Sequence, residues 1–389
     1  MNTNLYQSAN SLHQKLKDIL ALFSKAGISV VEFRDYRNFV DLVVDKPLSS
    51  QLFKELYNDL LNGYNVLMFQ LRSDELPVIR LVPYLKQKSR LYNYRWILTI
   101  TSIITVFLTG LGLSQGFHSE EIGKAIGANT GITAIIIDAV LYSTAFLVTL
   151  VSHEFGHLIT SRKSGIEAEG PILLPAPPIQ LGFIGTLGAV IFTKTPPPTR
   201  KDLAKLGILG PLMGIVVATL FGVIGLYLSP LIPLELAQQL IEAGKIAPVG
   251  VTSLGIYLLR FLSLESGVII IHPILFVAYF VYLVTFLNLL PIGQLDGGHV
   301  VRSVLSAKAF RTISTLVPPV LVLVGSILHL SGANGLYFIS IGFLSLILYF
   351  FIGKHGHPGV ANQYDDSKCI TCLLIYVILL ALTLPIPLS

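Results

Sequence analysis

The sequence has 389 residues, of which 53% belong to the hydrophobic set and only 13% are charged. A soluble globular domain carries about 25% charged residues, so this composition excludes an ordinary soluble protein and predicts a membrane protein. The formal net charge of +5 would also suit a nucleic-acid-binding protein. The positions of the basic residues therefore matter more than their sum.

Residues 1–92 are polar enough to form a soluble domain, and they lack the basic start and apolar core of a secretory signal. We therefore expect the N-terminus in the cytosol. Apolar residues at helical spacing predict a helix between Leu12 and Phe23, and four apolar runs predict strands. The predicted strands are Ile28–Phe33, Phe39–Val44, Asn65–Leu71 and Pro77–Val82. A small α/β domain with a regulatory or substrate-presenting role is expected here.

Residues 93–389 are expected to form a membrane-embedded domain. A run of about 20 apolar residues spans a bilayer, and seven such runs predict about seven transmembrane helices. The runs are Trp96–Leu113, Ile132–Leu158, Leu206–Leu228, Ile271–Pro291, Ile313–Leu330, Leu336–Ile352 and Cys369–Leu388. The shorter stretch Val251–Leu264 carries Arg260 and is predicted to be interfacial or re-entrant.

The basic residues that flank these spans lie mainly on one side of the membrane. If the N-terminus is cytosolic and the spans alternate, fifteen lysines and arginines flank the cytosolic ends, against Lys124, Lys245 and Arg260 in the outer loops. This is the positive-inside bias of a multi-pass protein. The net charge thus reflects membrane topology, and nucleic acid is not an expected partner.

The segment Gly170–Phe192 is apolar but interrupted by prolines and glycines, which makes it a poor helix. Backbone that is not helical cannot face lipid, because its amide groups would lack hydrogen-bond partners. A membrane-embedded re-entrant hairpin is therefore predicted. The expected fold is a polytopic α-helical membrane protein with this hairpin and the N-terminal α/β domain.

The second span ends in VSHEFGHLIT, which places His153 and His157 on one face of a helix. Two imidazoles one turn apart can bind one zinc ion, and Glu154 stands where a carboxylate accepts a proton from zinc-activated water. Ionisable side chains at membrane depth are costly unless they face a partner or a cavity. The competing interpretation is a helix end whose polar residues are wetted at the interface.

A catalytic zinc ion normally has three protein ligands, and Asp296 is the best candidate for the third. It follows a span that runs in the same direction as the second span, so its depth should match that of the two histidines. Asp138 lies about four turns before His153 and is a poor candidate. The alternative role for Asp296 is a simple helix cap.

Asn288 precedes Asp296 by eight residues, with Pro291 interrupting the helix between them. Its amide can donate a hydrogen bond to the oxyanion of a peptide undergoing hydrolysis, or can make an ordinary helix–helix hydrogen bond. His299 is predicted to lie near the metal ligands or at the interface, without binding the metal. His355 and His357 are predicted to lie in a solvated turn.

Cys369 and Cys372 form a CxxC at the start of the last span. This spacing is compatible with redox chemistry or half of a metal site, but no second CxxC completes a four-thiolate site. The preferred interpretation is two small residues in a helix.

The motifs HEFGH and NLLPIGQLDGG resemble the paired signatures of the site-2 protease family. The second motif, with His272–Pro273 upstream, is similar to the branch that contains plant chloroplast proteases and their archaeal and bacterial relatives. The resemblance implies a zinc protease that cuts transmembrane segments of other proteins, with His153, His157 and Asp296 as ligands and Glu154 as base. No PDZ-like or CBS-like insertion is evident.

Two other functions are compatible with the same motifs. A metal-binding channel or transporter also places His, Glu and Asp along an ion path, although it needs neither an acid next to the first histidine nor the hairpin. A regulatory membrane protein without activity is the other alternative. For the protease, we expect transmembrane protein substrates and a cell-membrane location if the organism is prokaryotic, with the active site towards the cytosolic face.

Overall fold

A computed structural model describes residues 3–36, 38–86, 88–261, 267–354 and 356–388. The elements before the first long apolar helix are α1 (Thr3–Lys25), β1 (Val30–Asp35), β2 (Val40–Val44), α2 (Ser50–Asp59), β3 (Val66–Leu71) and β4 (Val78–Pro83). The strands form one antiparallel sheet in the order β1-β2-β4-β3.

The four strands and the first helix confirm the prediction made from apolar spacing. Helix α2 was not predicted, although Ser49 marks its start by accepting a hydrogen bond from the backbone of Leu52 at 3.3 Å. Both helices pack on the sheet, and Phe23, Phe53 and Leu81 are buried between them. The sheet thus has a hydrophobic core of its own.

The rest of the chain is mainly helical. The helices are α3 (Arg95–Phe117), α4 (Glu120–Ile126), α5 (Ile132–Ser164), α6 (Arg200–Leu228), α7 (Leu234–Glu242), α8 (Leu254–Arg260), α9 (Pro273–Asn288), α10 (Asp296–Val304), α11 (Ala307–Leu330), α12 (Leu336–Leu348) and α13 (Ile370–Thr383). The strands are β5 (Ala168–Pro175), β6 (Thr186–Thr193), β7 (Leu231–Ile232), β8 (Val251–Ser253), β9 (Val268–Ile269) and β10 (Pro385–Pro387).

Among the described residues, five helices are long and apolar enough to cross a membrane: α3, α5, α6, α11 and α12, the first and last with their adjoining turns. The protein is therefore a multi-pass helical membrane protein. Helices α9 and α13, which the sequence predicted as full spans, have only 16 and 14 residues. Proline limits both, because α9 begins at Pro273 and is followed by Pro291, and α13 ends just before Pro385.

The proline- and glycine-rich segment after α5 forms a β-hairpin. Strands β5 and β6 are antiparallel, with register from Ala168 opposite Thr193 to Pro175 opposite Thr186. The tip of the hairpin is fixed to α3, since Ile179 donates its amide to Thr109 Oγ1 at 3.2 Å and the Gln180 side chain donates to the carbonyl of Leu108 at 3.0 Å. The hairpin therefore lies beside the helices that surround α5.

The N-terminal sheet is joined to the helical part at the C-terminal end of α5 and the start of α6. Lys54 Nζ lies 2.6 Å from Asp202 Oδ1, and the Tyr57 hydroxyl donates to the carbonyl of Pro196 at 2.9 Å. The buried Gln70 side chain donates to Asn362 Oδ1 at 3.0 Å. Asp202 also accepts a hydrogen bond from Ser164 at the end of α5 at 2.9 Å, so the sheet lies at the end of α5 that carries the HEFGH motif.

Two expectations from the sequence need correction or division. Cys369 and Cys372 are not merely small helical residues, because a disulfide joins them at the start of α13. The stretch predicted as interfacial or re-entrant divides into β8, which pairs with β10, and the short helix α8. Residues 262–266 of that stretch lie outside the described residues.

Candidate metal centre

The structure brings His153, His157 and Asp296 together. The histidines project from one face of α5, and Asp296 is the first residue of α10. The Nε2 atoms of the histidines are 3.1 Å apart, and each lies 3.3 Å from an oxygen of the Asp296 carboxylate. Each of the three side chains is 13% exposed, so the group is largely shielded from solvent.

These distances fit a tetrahedral zinc site. Zinc binds imidazole nitrogen and carboxylate oxygen at about 2.0 to 2.2 Å, which puts neighbouring ligands of a tetrahedron about 3.3 Å apart. The three measured separations are 3.1, 3.3 and 3.3 Å. Three protein ligands leave the fourth position of a tetrahedron open, as in a catalytic zinc site.

The hydrogen bonding of His157 determines which ring nitrogen faces the group. Its Nδ1 lies 2.8 Å from the carbonyl oxygen of Leu206, which can only accept a hydrogen bond. In the neutral ring, Nε2 therefore carries a lone pair and points at His153 Nε2 and at Asp296. Nε2 of His157 and the Asp296 carboxylate are both acceptors at this point, and a metal cation between them would satisfy both.

Small residues on α6 allow this helix to pack against the two histidines. A Cβ atom at Gly210 would overlap the imidazole of His157, and one at Gly214 would fall 3.1 Å from His153 Nδ1. Gly156, between the histidines on α5, lies against the backbone of Leu209. The helix pair therefore excludes side chains from the rear of the site.

Asp296 is not a helix cap. Leu295 occupies the cap position of α10, with no side-chain hydrogen bond, and the Asp296 carboxylate turns towards the histidines. The next residue, Gly297, lies so close to the carbonyl of Leu289 that a Cβ atom would overlap it. The LDGG sequence therefore lets the turn between α9 and α10 fold back onto itself beneath the carboxylate.

Glu154 lies on α5 between the two histidines, and Asn288 lies at the end of α9. The Glu154 side chain is buried, with the residue 7% exposed, and makes no hydrogen bond to any residue that the structure describes. Asn288 is the last residue of α9, is half-buried, and its amide likewise has no partner in the described part of the chain. Both side chains are therefore free to interact with a substrate or with water.

Asp138 lies away from this group, as the sequence predicted, but it has partners that the sequence did not indicate. Its Oδ2 accepts hydrogen bonds from Nε2 of His118 at 2.7 Å and from Nε2 of His272 at 3.0 Å. His118 follows α3 and His272 caps α9, so three helices meet at one carboxylate. Only the tertiary structure brings these residues together.

A second pair of histidines lies beside the group. His299 Nδ1 is 2.7 Å from His357 Nε2, and the ring of His357 packs edge-on against Phe310. The prediction that His357 lies in a solvated turn is therefore wrong, because that turn folds back over α10 and α11. Burial lowers the pKa of His299 to about 4 and that of His357 to about 2. His355 lies outside the described residues.

Comparison with known proteins connects this geometry with a family. Residues 141–332, which contain both histidines and Asp296, match the model of peptidase family M50. The part of the chain that carries the candidate ligands is thus similar to peptidase family M50. Zinc is the metal indicated by this similarity together with the group of His153, His157 and Asp296.

The chain is also similar to two plant proteins. It is 25% identical over 244 residues to "Probable zinc metalloprotease EGY2, chloroplastic" of Arabidopsis thaliana, a match that covers 60% of this chain and 40% of that protein. It is 27% identical over 187 residues to the Arabidopsis protein "Probable zinc metalloprotease EGY1, chloroplastic", covering 46% and 33%. The chain thus spans less than half the length of either relative.

Among solved structures, the chain is similar to "Site-2 Protease from Methanocaldococcus jannaschii". The identity is 21%, the TM-score is 0.29, and the match covers 64% of this chain and 85% of that one.

Proposed function

We propose that this protein is an intramembrane zinc endopeptidase that hydrolyses peptide bonds in transmembrane segments of other membrane proteins. The observation that carries the proposal is the convergence of His153 Nε2, His157 Nε2 and the Asp296 carboxylate at separations of 3.1 to 3.3 Å. These three residues would hold the zinc ion. Their position on apolar helices, largely shielded from solvent, suits a substrate that reaches the site from the bilayer.

Zinc, when bound, supplies a Lewis acid that lowers the pKa of a coordinated water to about 7. Glu154 is the general base in this proposal: its carboxylate accepts a proton from the attacking water and donates it to the leaving amine. Asn288 donates a hydrogen bond to the oxygen of the scissile carbonyl as negative charge develops there. Neither side chain has a hydrogen-bond partner among the described residues, which supports these roles.

A transmembrane helix must unwind before a protease can reach its amide bonds. Strands β5 and β6 form a sheet of only two strands, so each has an outer edge with unpaired backbone groups. We assign this hairpin, as a re-entrant element in the membrane, the role of pairing with the unwound substrate as an added strand. The exposed Leu181 and Leu187 of the hairpin offer apolar contacts to a membrane-derived peptide.

The proposed architecture has a soluble domain in residues 1–92 and a membrane-embedded protease domain in residues 93–389. The positive-inside bias supports a cytosolic location for the first of these. Lys54 contacts Asp202 at the start of α6, and Asp202 accepts a hydrogen bond from Ser164 at the end of α5, so the metal centre then lies towards the cytosolic face. The proposed partners are transmembrane protein substrates and the lipid bilayer.

The test uses the full chain, purified in detergent and mixed with a model transmembrane substrate. Wild type should contain one zinc ion per chain and cleave the substrate. Glu154→Gln should retain zinc and lose at least about 10²-fold in rate, whereas Asp296→Ala should lose zinc. Glu242→Gln, which changes an exposed acid on α7, is the matched control.

Equal cleavage by wild type and Glu154→Gln would overturn the proposal, as would wild type without stoichiometric zinc. Full zinc occupancy in Asp296→Ala would remove Asp296 from the ligand set. A metal-dependent ion flux through wild type in liposomes, without any cleavage, would favour the channel or transporter instead.

A further inference from the structure

We propose that His299 is a substrate-binding residue that donates a hydrogen bond from Nε2–H to a backbone carbonyl of the peptide, and that His357 holds it in this tautomer. The inference rests on the proposed protease function. It concerns two histidines outside the metal-ligand group.

A backbone hydrogen bond determines the tautomer of His357. Its Nδ1 accepts a hydrogen bond from the backbone amide of Gly359 at 2.9 Å. A backbone N–H can only donate, so His357 Nδ1 carries a lone pair. In the neutral ring the proton is then on Nε2, which donates to His299 Nδ1 at 2.7 Å.

The tautomer of His357 determines the tautomer of His299. Because His299 Nδ1 accepts, its proton lies on Nε2 in the neutral ring. Burial lowers the pKa of both histidines well below neutrality, which keeps the pair neutral. His299 Nε2 has no hydrogen-bond partner among the described residues, and this nitrogen is not completely buried. It is therefore an available donor.

His299 lies on the same face of α10 as the candidate ligand Asp296. Asp296 and His299 are three residues apart on α10, so their side chains lie on the same face of the helix. Gly207 of α6 lies against both residues, since a Cβ atom there would fall 2.5 Å from Asp296 O and 2.8 Å from His299 Cβ. The charge of the Asp296 carboxylate also acts on the His299 ring. The donor therefore lies beside the metal centre.

A hydrogen-bond donor on His299 would complement the backbone carbonyls of a peptide substrate. Nε2 of His157 and the carboxylates of Glu154 and Asp296 present lone pairs. An unwound peptide brings carbonyl oxygens, which need donors, and an unmatched carbonyl in a site shielded from water is costly. His299 Nε2–H meets this need at a position separate from that of Asn288. A fixed tautomer matters because the alternative tautomer would present a lone pair to the same carbonyl.

The experiment compares variants of the full chain for zinc content and for kcat/KM on the transmembrane substrate. His299→Leu should keep one zinc ion per chain and lose about tenfold in kcat/KM, the effect of one hydrogen bond. His299→Gln, whose amide nitrogen can replace Nε2–H, should recover most of this loss. His329→Leu, an exposed histidine at the end of α11, is the matched control.

The positioning role of His357 needs a readout that does not depend on activity. Solid-state ¹⁵N NMR of histidine-labelled protein at pH 7, with or without zinc, should show His299 protonated at Nε2 and not at Nδ1. His357→Leu should allow both tautomers of His299. His357→Gln retains a hydrogen-bond donor and should preserve the tautomer with the proton on Nε2.

Each outcome bears on one of the two proposals. If Glu154→Gln is inactive while His299→Leu cleaves like wild type, this inference is wrong and the protease proposal stands. A His299 signal with the proton on Nδ1 overturns the inference whatever the activity. If wild type and Glu154→Gln cleave equally, the protease function itself has failed, and the substrate role of His299 fails with it.

Discussion

Gly210 on α6 lies directly against the imidazole of His157 on α5, so that a Cβ atom at this glycine would fall 2.6 Å from His157 Cδ2 and closer still to Nε2. No ordinary side chain can occupy that position while the ring keeps its place. The position of His157 therefore depends on a residue 53 positions later in the chain, as well as on the HEFGH helix.

The first prediction concerns this contact. Gly210→Ala should displace the His157 ring from the group and lower zinc occupancy at least about tenfold, because backbone on the rigid α6 cannot move away cheaply. Zinc stoichiometry after dialysis is the measurement. Gly116→Ala on α3 has open space around the added methyl group and should leave zinc occupancy unchanged. Wild-type zinc content in Gly210→Ala would contradict this account of the helix contact.

The second prediction concerns the connection between the N-terminal sheet and the membrane helices. Asp202 is buried and accepts hydrogen bonds from Lys54 at 2.6 Å, from Ser164 at 2.9 Å and from Thr199 at 2.7 Å. Asp202→Ala removes all three interactions and leaves Lys54 without its partner. We expect a loss of about 3 kcal/mol in the free energy of unfolding.

Lys54→Met removes one interaction of the same group, and it should cost less than Asp202→Ala because Lys54 is partly exposed. Thermal melting in detergent compares the two variants with Lys46→Met, which changes an exposed lysine. If Asp202→Ala melts at the wild-type temperature, the hydrogen bonds of Asp202 do not stabilise the contact between the N-terminal sheet and the membrane helices.

The third prediction concerns the disulfide between Cys369 and Cys372. The bond closes a loop of only four residues, and chain entropy then limits its contribution to about 2 kcal/mol. Reduction should therefore lower the melting temperature by a few degrees while the fold and the zinc content persist. The Cys369→Ala variant should melt at the same temperature with and without reductant. Loss of zinc on reduction alone would show that the bond does more than stabilise the start of α13.

The fourth prediction concerns pH. Burial lowers the pKa of His357 to about 2, whereas a histidine in the unfolded chain has a pKa of about 6.5. Below pH 6.5 the unfolded state binds a proton that the folded state does not, so stability is complete above pH 6.5 and falls as the pH decreases. The loss approaches about 1.4 kcal/mol per pH unit for one such group.

Melting curves between pH 7.5 and pH 5 measure this dependence. His357→Phe lacks the titrating group and should lose less stability over the same range than wild type. His299, which faces His357, contributes in the same direction because burial also lowers its pKa, so part of the dependence should remain. Identical pH dependence in wild type and His357→Phe would show that His357 is not buried in its neutral form.

Much of the molecule follows from local patterns in the sequence. The four strands of the N-terminal sheet and the long apolar helices were predicted because their signals, alternation and hydrophobic run length, are local. The positions of the candidate ligands were predicted for the same reason: HEFGH puts two imidazoles on one helix face, and the LDG motif supplies an acid at a matching depth. The lengths of α9 and α13 were overestimated, because prolines end a helix inside an apolar run.

Contacts between distant segments were not predictable in this way. His357 meets His299 across 58 residues, Asp138 meets His272 across 134, and Gln70 meets Asn362 across 292. No local periodicity encodes such pairs, because they depend on how completed helices pack and on where loops return.

The amino-acid sequence by itself thus determined that the protein is a membrane protein and that His153, His157, Glu154 and Asp296 are its candidate catalytic group, since residue type and helical spacing are properties of short segments. The tertiary structure alone decided that His153, His157 and Asp296 lie at tetrahedral separations, that Leu206 orients His157, and that His357 orients His299. The physical reason is that the hydrogen-bond partner of one imidazole nitrogen determines whether the other nitrogen carries a proton or a lone pair. In both histidines that partner comes from another part of the chain.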